Sequence, residues 1–134
     1  MNGRDRNITL YGIPNCDTVK KARIWLDAHA LAHVFHNFKK DGLTPAMIQP
    51  WLQDNEWEAV INRKGTTWRA LDDVRKVAIV DAVSAIALMC EAPSVIKRPV
   101  LTLTIGNNVA QYVHVGFSDV LYQQIFTPDF HPKP

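Results

Sequence analysis

The sequence predicts an α/β domain built on a mixed four-stranded sheet with a helical region inserted in its middle, and three observations predict it. An alternating stretch, an amphipathic helix and a second short strand follow one another at the N-terminus. Two alternating stretches joined by a Gly-Asn-Asn turn, then a helix, close the chain. Between these ends, residues from about 44 to 91 read as helix alone. At 134 residues, 47% of them hydrophobic and 21% charged, the chain has the length of a single domain. It can bury a core without disulfides or metal.

Asn7–Gly12 (NITLYG) sets Ile8 and Leu10 between polar neighbours and ends at Gly12-Ile13-Pro14, a strand running into a loop. From Asp17 onward Val19, Ala22, Leu26 and Ala30 recur at helical spacing with Lys20, Lys21 and Arg23 between them, an amphipathic helix of about four turns. His33–Phe38 is the second strand, so the first three elements form a βαβ unit with parallel strands. Thr44 and Pro45 supply an N-cap and a first-turn proline for a helix reaching about Asp54, which Pro50 must kink or delay. Gly65 turns the chain within Asn62–Thr67, and Thr67 is expected to cap a short helix over Trp68–Leu71. Val77–Cys90 is apolar almost all round except for Asp81 and Ser84, which predicts a helix buried on most sides. Pro99–Ile105 and Val109–Val113 alternate on either side of Gly106-Asn107-Asn108, a β-hairpin, and Ser118 caps a last helix near Asp119–Phe126. The domain thus covers 7–126, and the proline-rich residues 127–134 read as a loosely ordered tail.

Several function classes fall away on composition. A net charge of +2 is too mild for a general nucleic-acid binder, whose basic residues mass on one face. The N-terminus carries charges but no apolar core of a secretory signal, and Val77–Cys90 is too short to span a bilayer, so a cytosolic protein with no membrane or direct nucleic-acid partner is expected. Two cysteines, Cys16 and Cys90, are too few and too far apart for a disulfide framework or a metal ribbon, and a reducing cytosol leaves them as thiols. His29, His33 and His36 lack the cysteines or carboxylates that would complete a metal site, and no bound cofactor is expected. Walker, G-x-G-x-x-G and G-x-S-x-G motifs are absent.

Cys16 stands where a strand hands over to a helix N-terminus. Unsatisfied N–H groups and the positive end of the helix dipole there favour thiolate over thiol, Lys20 one turn on adds positive charge, and Asp17 opposes it. The competing reading is a small apolar residue closing a loop. Cys16-Asp17-Thr18-Val19 is a C-x-x-C with its second cysteine replaced by valine, so turnover would need an external thiol such as glutathione, or Cys90 after a large approach. Cys90 follows Val80, Val83 and Ala87 at helical spacing, which is expected to put it on a buried face as a structural thiol. Ile96-Lys97-Arg98-Pro99 precedes a strand, and its basic pair either binds an anion or is solvated. Asn62-Arg63-Lys64-Gly65-Thr66-Thr67 is either an anion-holding turn or a charged surface turn.

The order β-α-β, helices, β-β-α is that of a thioredoxin-like domain with inserted helices. The runs YGIPNCDTVKKARIWLDAH, NRKGTTWRAL, APSVIKRPVLTL and VGFSDVLY resemble, in order and spacing, the ArsC/Spx superfamily of thioredoxin-like proteins, in particular its YffB-type, arsenate reductase-related branch. The resemblance spans Leu10 to Tyr122. It implies a nucleophile at Cys16, a cis bond between Arg98 and Pro99, and anion or glutathione binding by Arg63 and Arg98 beside Lys20 and Pro99. It also implies an oxidoreductase that uses glutathione as co-substrate, with glutaredoxin as a partner and a disulfide or small oxyanion as substrate, and a chain of this size is expected to be a monomer. Arsenate reductases of this kind hold the oxyanion with three arginines, and the third place here reads His114-Val115-Gly116-Phe117 without one. The Spx side of the superfamily implies the alternative, a non-catalytic regulator that binds RNA polymerase, although its redox-sensing members carry the intact C-x-x-C that Val19 removes.

Overall fold

The computed structural model describes residues 7–53, 55–105 and 110–127. In chain order they form β1 (Asn7–Gly12), α1 (Asp17–Ala28), β2 (Val34–Asn37), α2 (Phe38–Asp41), α3 (Pro45–Ile48), α4 (Trp57–Val60), α5 (Thr66–Arg69), α6 (Asp73–Val77), α7 (Ala82–Glu91), β3 (Val100–Ile105), β4 (Ala110–Val115) and α8 (Asp119–Ile125). Two compact units result. One combines the chain up to Asn37 with the chain from Arg98 onward, and the other is Phe38–Lys97.

The first unit is a thioredoxin-like sheet with strand order β2-β1-β3-β4. β1 and β2 run parallel with Leu10 opposite Phe35, and β3 is antiparallel to both β1 and β4, with Leu10 opposite Leu101 and Leu103 opposite Tyr112. Because strand side chains alternate between faces, Ile8, Leu10, Leu101 and Leu103 share one side of the sheet. There they meet Ala22, Trp25 and Leu26 of α1 and Tyr122 and Ile125 of α8 in a single core. Trp25 ties the two helices together. Its indole Nε1 donates to Asp119 Oδ1 at 2.7 Å and its ring meets that of Tyr122 edge-on at 5.4 Å. Ser118 caps α8 as expected, accepting from the Leu121 N–H at 3.3 Å. The expected Gly106-Asn107-Asn108 turn and the tail beyond Thr127 lie outside the described residues.

The second unit is a run of short helices and contains the 44–91 stretch that the sequence marks as helical. Thr44 caps α3 as expected, and Pro50 tightens the chain after α3 into a 3-10 turn over Gln49–Leu52. Four expectations are corrected here. Gly65, not Thr67, is the N-cap of α5, and Thr67 lies within the helix. The apolar Val77–Cys90 stretch is not one helix. Asp81 and Ser84 form a capping box that starts α7 at Ala82, because a short polar side chain competes for the backbone N–H groups. Nor is that stretch buried on most sides, since Val77, Val80 and Val83 are exposed while Ala85, Ile86, Leu88 and Met89 are buried. Cys90 follows the outward row and is half-buried, not part of the core.

Leu101 is fully buried at the centre of the sheet. Leu101→Ala is expected to destabilise the protein by about 2–5 kcal/mol, from lost transfer energy and the cavity left behind. Equilibrium urea unfolding checks this as a lower midpoint at unchanged slope.

Candidate functional site

Two backbone features bring the site together in the first unit. The first is a close approach. A Cβ on Gly12 would come within 2.8 Å of Val19 Cγ2, so only glycine lets α1 pack down on the end of β1. The chain then crosses Ile13–Asn15 and enters α1 with Cys16 as the N-cap, in extended conformation, its carbonyl accepting from the Lys20 N–H at 2.9 Å. The second is register. Val100 pairs with Tyr11, so the residues just before β3 run alongside the residues just after β1. Arg98 and Pro99 therefore lie beside the turn that carries Cys16. The Arg98–Pro99 bond is cis, as the resemblance implies, and the Pro99 carbonyl accepts from the Gly116 N–H at 2.8 Å.

The electrostatics of Cys16 are a contest. Burial pushes the thiol up, but the Val19 N–H, a hydrogen bond from the Arg98 side chain, the Thr18 N–H and the guanidinium charge together outweigh it and hold Cys16 below the ordinary thiol range. Cys90 has only the first of these influences, and burial pushes its thiol up. The two cysteines are therefore chemically distinct. Cys16 is half-buried, which leaves its sulfur within reach of a substrate.

The expected site residues divide between the two units. Cys16, Arg98 and Pro99 come together, and Lys20 is exposed one turn along α1. Arg63 belongs to the second unit, exposed on the turn after α4, its guanidinium 6.0 Å from the ring centre of Trp57. That turn is anchored by the Asn62 N–H donating to the Val95 carbonyl at 2.7 Å and by the Lys64 N–H donating to Asn62 Oδ1 at 3.2 Å. The backbone N–H groups of Thr18 and Val19 are functional groups that residue types alone do not name. Their signal in the sequence was positional, two and three residues after the N-cap. His29 and His33 turn their Nδ1 atoms to the backbone carbonyls of Trp25 and Leu31, both at 2.8 Å. Among the described residues no cluster of three or more His, Cys, Asp or Glu could hold a metal, and no helix is long and apolar enough to cross a membrane.

Comparison with known proteins places this geometry. Residues 11–125 match the sequence profile of the ArsC family. An uncharacterized protein of Haemophilus influenzae is 38% identical over 119 residues, covering 89% of this chain and 98% of its own. The global transcriptional regulator Spx of Streptococcus pneumoniae is 26% identical over 115 residues, covering 84% and 80%. Of solved structures, the YffB protein superposes with a TM-score of 0.76 at 44% identity, covering 87% of this chain and 96% of its own. An arsenate reductase-related protein from Brucella melitensis does so with a TM-score of 0.58 at 45% identity, covering 76% and 88%.

Alkylation tracks the thiolate fraction, so the iodoacetamide reaction of Cys16 should rise at lower pH than that of a free cysteine, and the reaction of Cys90 at higher pH. Arg98→Ala removes two of the influences favouring the anion and should move the Cys16 curve toward higher pH while leaving Cys90 in place. Peptide-resolved mass spectrometry over a pH series reads both curves in one experiment.

Proposed function

The chain belongs to the ArsC family, and from that premise we propose that it is a thiol-dependent oxidoreductase in which the Cys16 thiolate is the nucleophile. The observation that carries this is the placement of Cys16 at the α1 N-terminus with Arg98 hydrogen-bonded to it, which favours the reactive anion. The resemblance to an arsenate reductase-related protein supports the same class of chemistry.

Val19 replaces the second cysteine of a C-x-x-C, so reduction proceeds through an external thiol, and glutathione is the co-substrate we assign. The Cys16 thiolate attacks the glutathione sulfur of a mixed disulfide, forming a Cys16–glutathione disulfide and expelling the substrate thiolate, which takes a proton. A second glutathione, as thiolate, then attacks the glutathione sulfur of that adduct and releases Cys16 as thiolate and glutathione disulfide. Glutaredoxin can take the place of the second glutathione. Arg98 steadies the thiolate before attack and afterwards holds a carboxylate or oxyanion of the substrate, assisted by the charge of Lys20. Small oxyanions belong to the same proposal. The run His114-Val115-Gly116-Phe117 provides no further arginine, which favours glutathione-bearing disulfides over multiply charged oxyanions.

Likeness to the regulator Spx favours a second reading, a binding module for RNA polymerase without turnover. The two part on the role of the sulfur. Cys16→Ser should abolish glutathione-dependent reduction of a glutathionylated peptide and leave the circular dichroism spectrum unchanged. Arg98→Ala should lower kcat/KM by about 10- to 100-fold, the worth of one charge-assisted hydrogen bond. Activity untouched by Cys16→Ser would sink the oxidoreductase. A protein with no turnover that binds purified polymerase equally well with serine at this position would establish the second reading.

A further inference from the structure

The far end of α1 meets the end of α8 around a cleft that the Cys16 chemistry does not use. Trp25, His29, Leu31, Gln123, Phe126 and Thr127, all of the first unit, line about 360 Å³ of space there. That volume falls at the small end of the range for ligand sites. Three rings take part in the wall. His29 stacks on Trp25 with centroids 3.8 Å apart and 19° between planes, and Phe126 lies 5.8 Å from Trp25 at 32°. Cys16 stands at the opposite end of α1, so the rise of the helix puts about 20 Å between the thiol and His29.

The hydrogens of that wall are already committed. The Trp25 indole Nε1–H donates to Asp119 Oδ1 at 2.7 Å, and the Thr127 hydroxyl donates to the Gln124 carbonyl at 3.1 Å. His29 Nδ1 lies 2.8 Å from the Trp25 carbonyl, which can only accept, so the neutral ring carries its hydrogen there and Nε2 keeps a lone pair. The backbone N–H groups of His29, Leu31, Phe126 and Thr127 donate to the carbonyls of Trp25, Leu26, Tyr122 and Gln124. Apart from the Gln123 amide, the lining side chains therefore have lone pairs and ring faces to give and no hydrogen. α1 also ends here, with no basic residue in its last turn to offset the negative end of its dipole.

We propose that this cleft binds a small organic ammonium ion, an amine with an apolar or aromatic body. The N–H groups of such a cation match the acceptors of the wall, His29 Nε2, Thr127 Oγ1 and the Gln123 amide oxygen, and its charge is attracted by the ring faces and by the helix end. Asp119 strengthens this, because a carboxylate that accepts from the indole leaves more electron density on the Trp25 ring. Leu31 and Phe126 receive the apolar body. An anion would meet lone pairs and the wrong end of a helix dipole, and a neutral alcohol of the same shape would forgo the charge. An amine of about nine non-hydrogen atoms binds such a site with a dissociation constant on the order of 1–10 mM.

The experiment titrates the 15N-labelled full chain with phenethylamine at mildly alkaline pH, where a free imidazole is neutral and the amine still charged. Phenethyl alcohol and hydrocinnamate, its neutral and anionic counterparts, follow in the same way. In 15N–1H correlation spectra the Trp25 indole N–H and the amides of His29, Leu31, Gln123, Phe126 and Thr127 should shift with one dissociation constant. The alcohol should bind about ten-fold more weakly and the carboxylate not at all. His29→Phe, which keeps a stacked ring and removes the acceptor, and Thr127→Val should each weaken the amine about three- to ten-fold, while the circular dichroism spectrum and melting temperature stay as in the parent. The alkylation rate of Cys16 should be the same with and without the amine, which separates this test from that of the oxidoreductase. Shifts that stay absent up to about 50 mM amine overturn the proposal. So do an alcohol or carboxylate that binds as well as the amine, binding that withstands both substitutions, and shifts centred on Cys16.

Discussion

Tyr11 opposite Val100 and Leu10 opposite Leu101 hold the end of β1 against the beginning of β3, and the chemistry of the first unit depends on that antiparallel register. A shift of one residue would turn Leu10 and Leu101 out of the core and carry Arg98 away from the turn after β1. The register is protected because the same residues that position Arg98 are the ones buried beneath α1 and α8. Stability and placement of the guanidinium are therefore one constraint. Gly12 adds the second half, since only a residue without a side chain admits Val19 at that distance and so allows α1 to begin just after Cys16.

The thiol shows how opposing effects are weighed in a partly buried site. Withdrawal from water acts alone on Cys90 and raises its pKa. At Cys16 the same effect is the largest single influence, yet two backbone N–H groups and one guanidinium together exceed it. The two backbone donors are held by the helix end and stand in place when charge forms on sulfur. With no second cysteine in the motif, no disulfide can form within it, and the proposed function therefore draws its reducing equivalents from an external thiol.

The second unit is organised differently, by local caps more than by long elements. Its helices are of four or five residues except for the ten of α7. Thr44, Asp72 and Asp81 each accept a backbone N–H at a helix start, and the Ile61–Ile96 bridge with the Lys97 N–H to Val60 carbonyl bond closes the unit on itself. α7 buries Ala85, Ile86, Leu88 and Met89 and exposes Val83.

The strands, α1, α8 and the position of Cys16 at a helix start were legible in the sequence because each rests on local periodicity or a capping residue: Ile8 and Leu10 alternate, Val19 and Ala22 recur, Ser118 caps. The same logic failed at Val77–Cys90, where an apolar composition cannot say which side of a helix faces a core. Asp81 and Ser84 form a cap there, and Val80 and Val83 face outward while Leu88 and Met89 are buried. By itself, then, the sequence determined the element order, the nucleophile candidate and the absence of a partner cysteine in its motif. Tertiary structure alone decided that Arg98, distant along the chain, hydrogen-bonds to Cys16 and that Cys90 does not share its environment. The reason is physical. Helix and strand patterns are set by neighbours a few residues away, whereas the charge state of a thiol is set by whatever groups lie within a few ångströms in space, and the pairing of β1 with β3 brings those groups there.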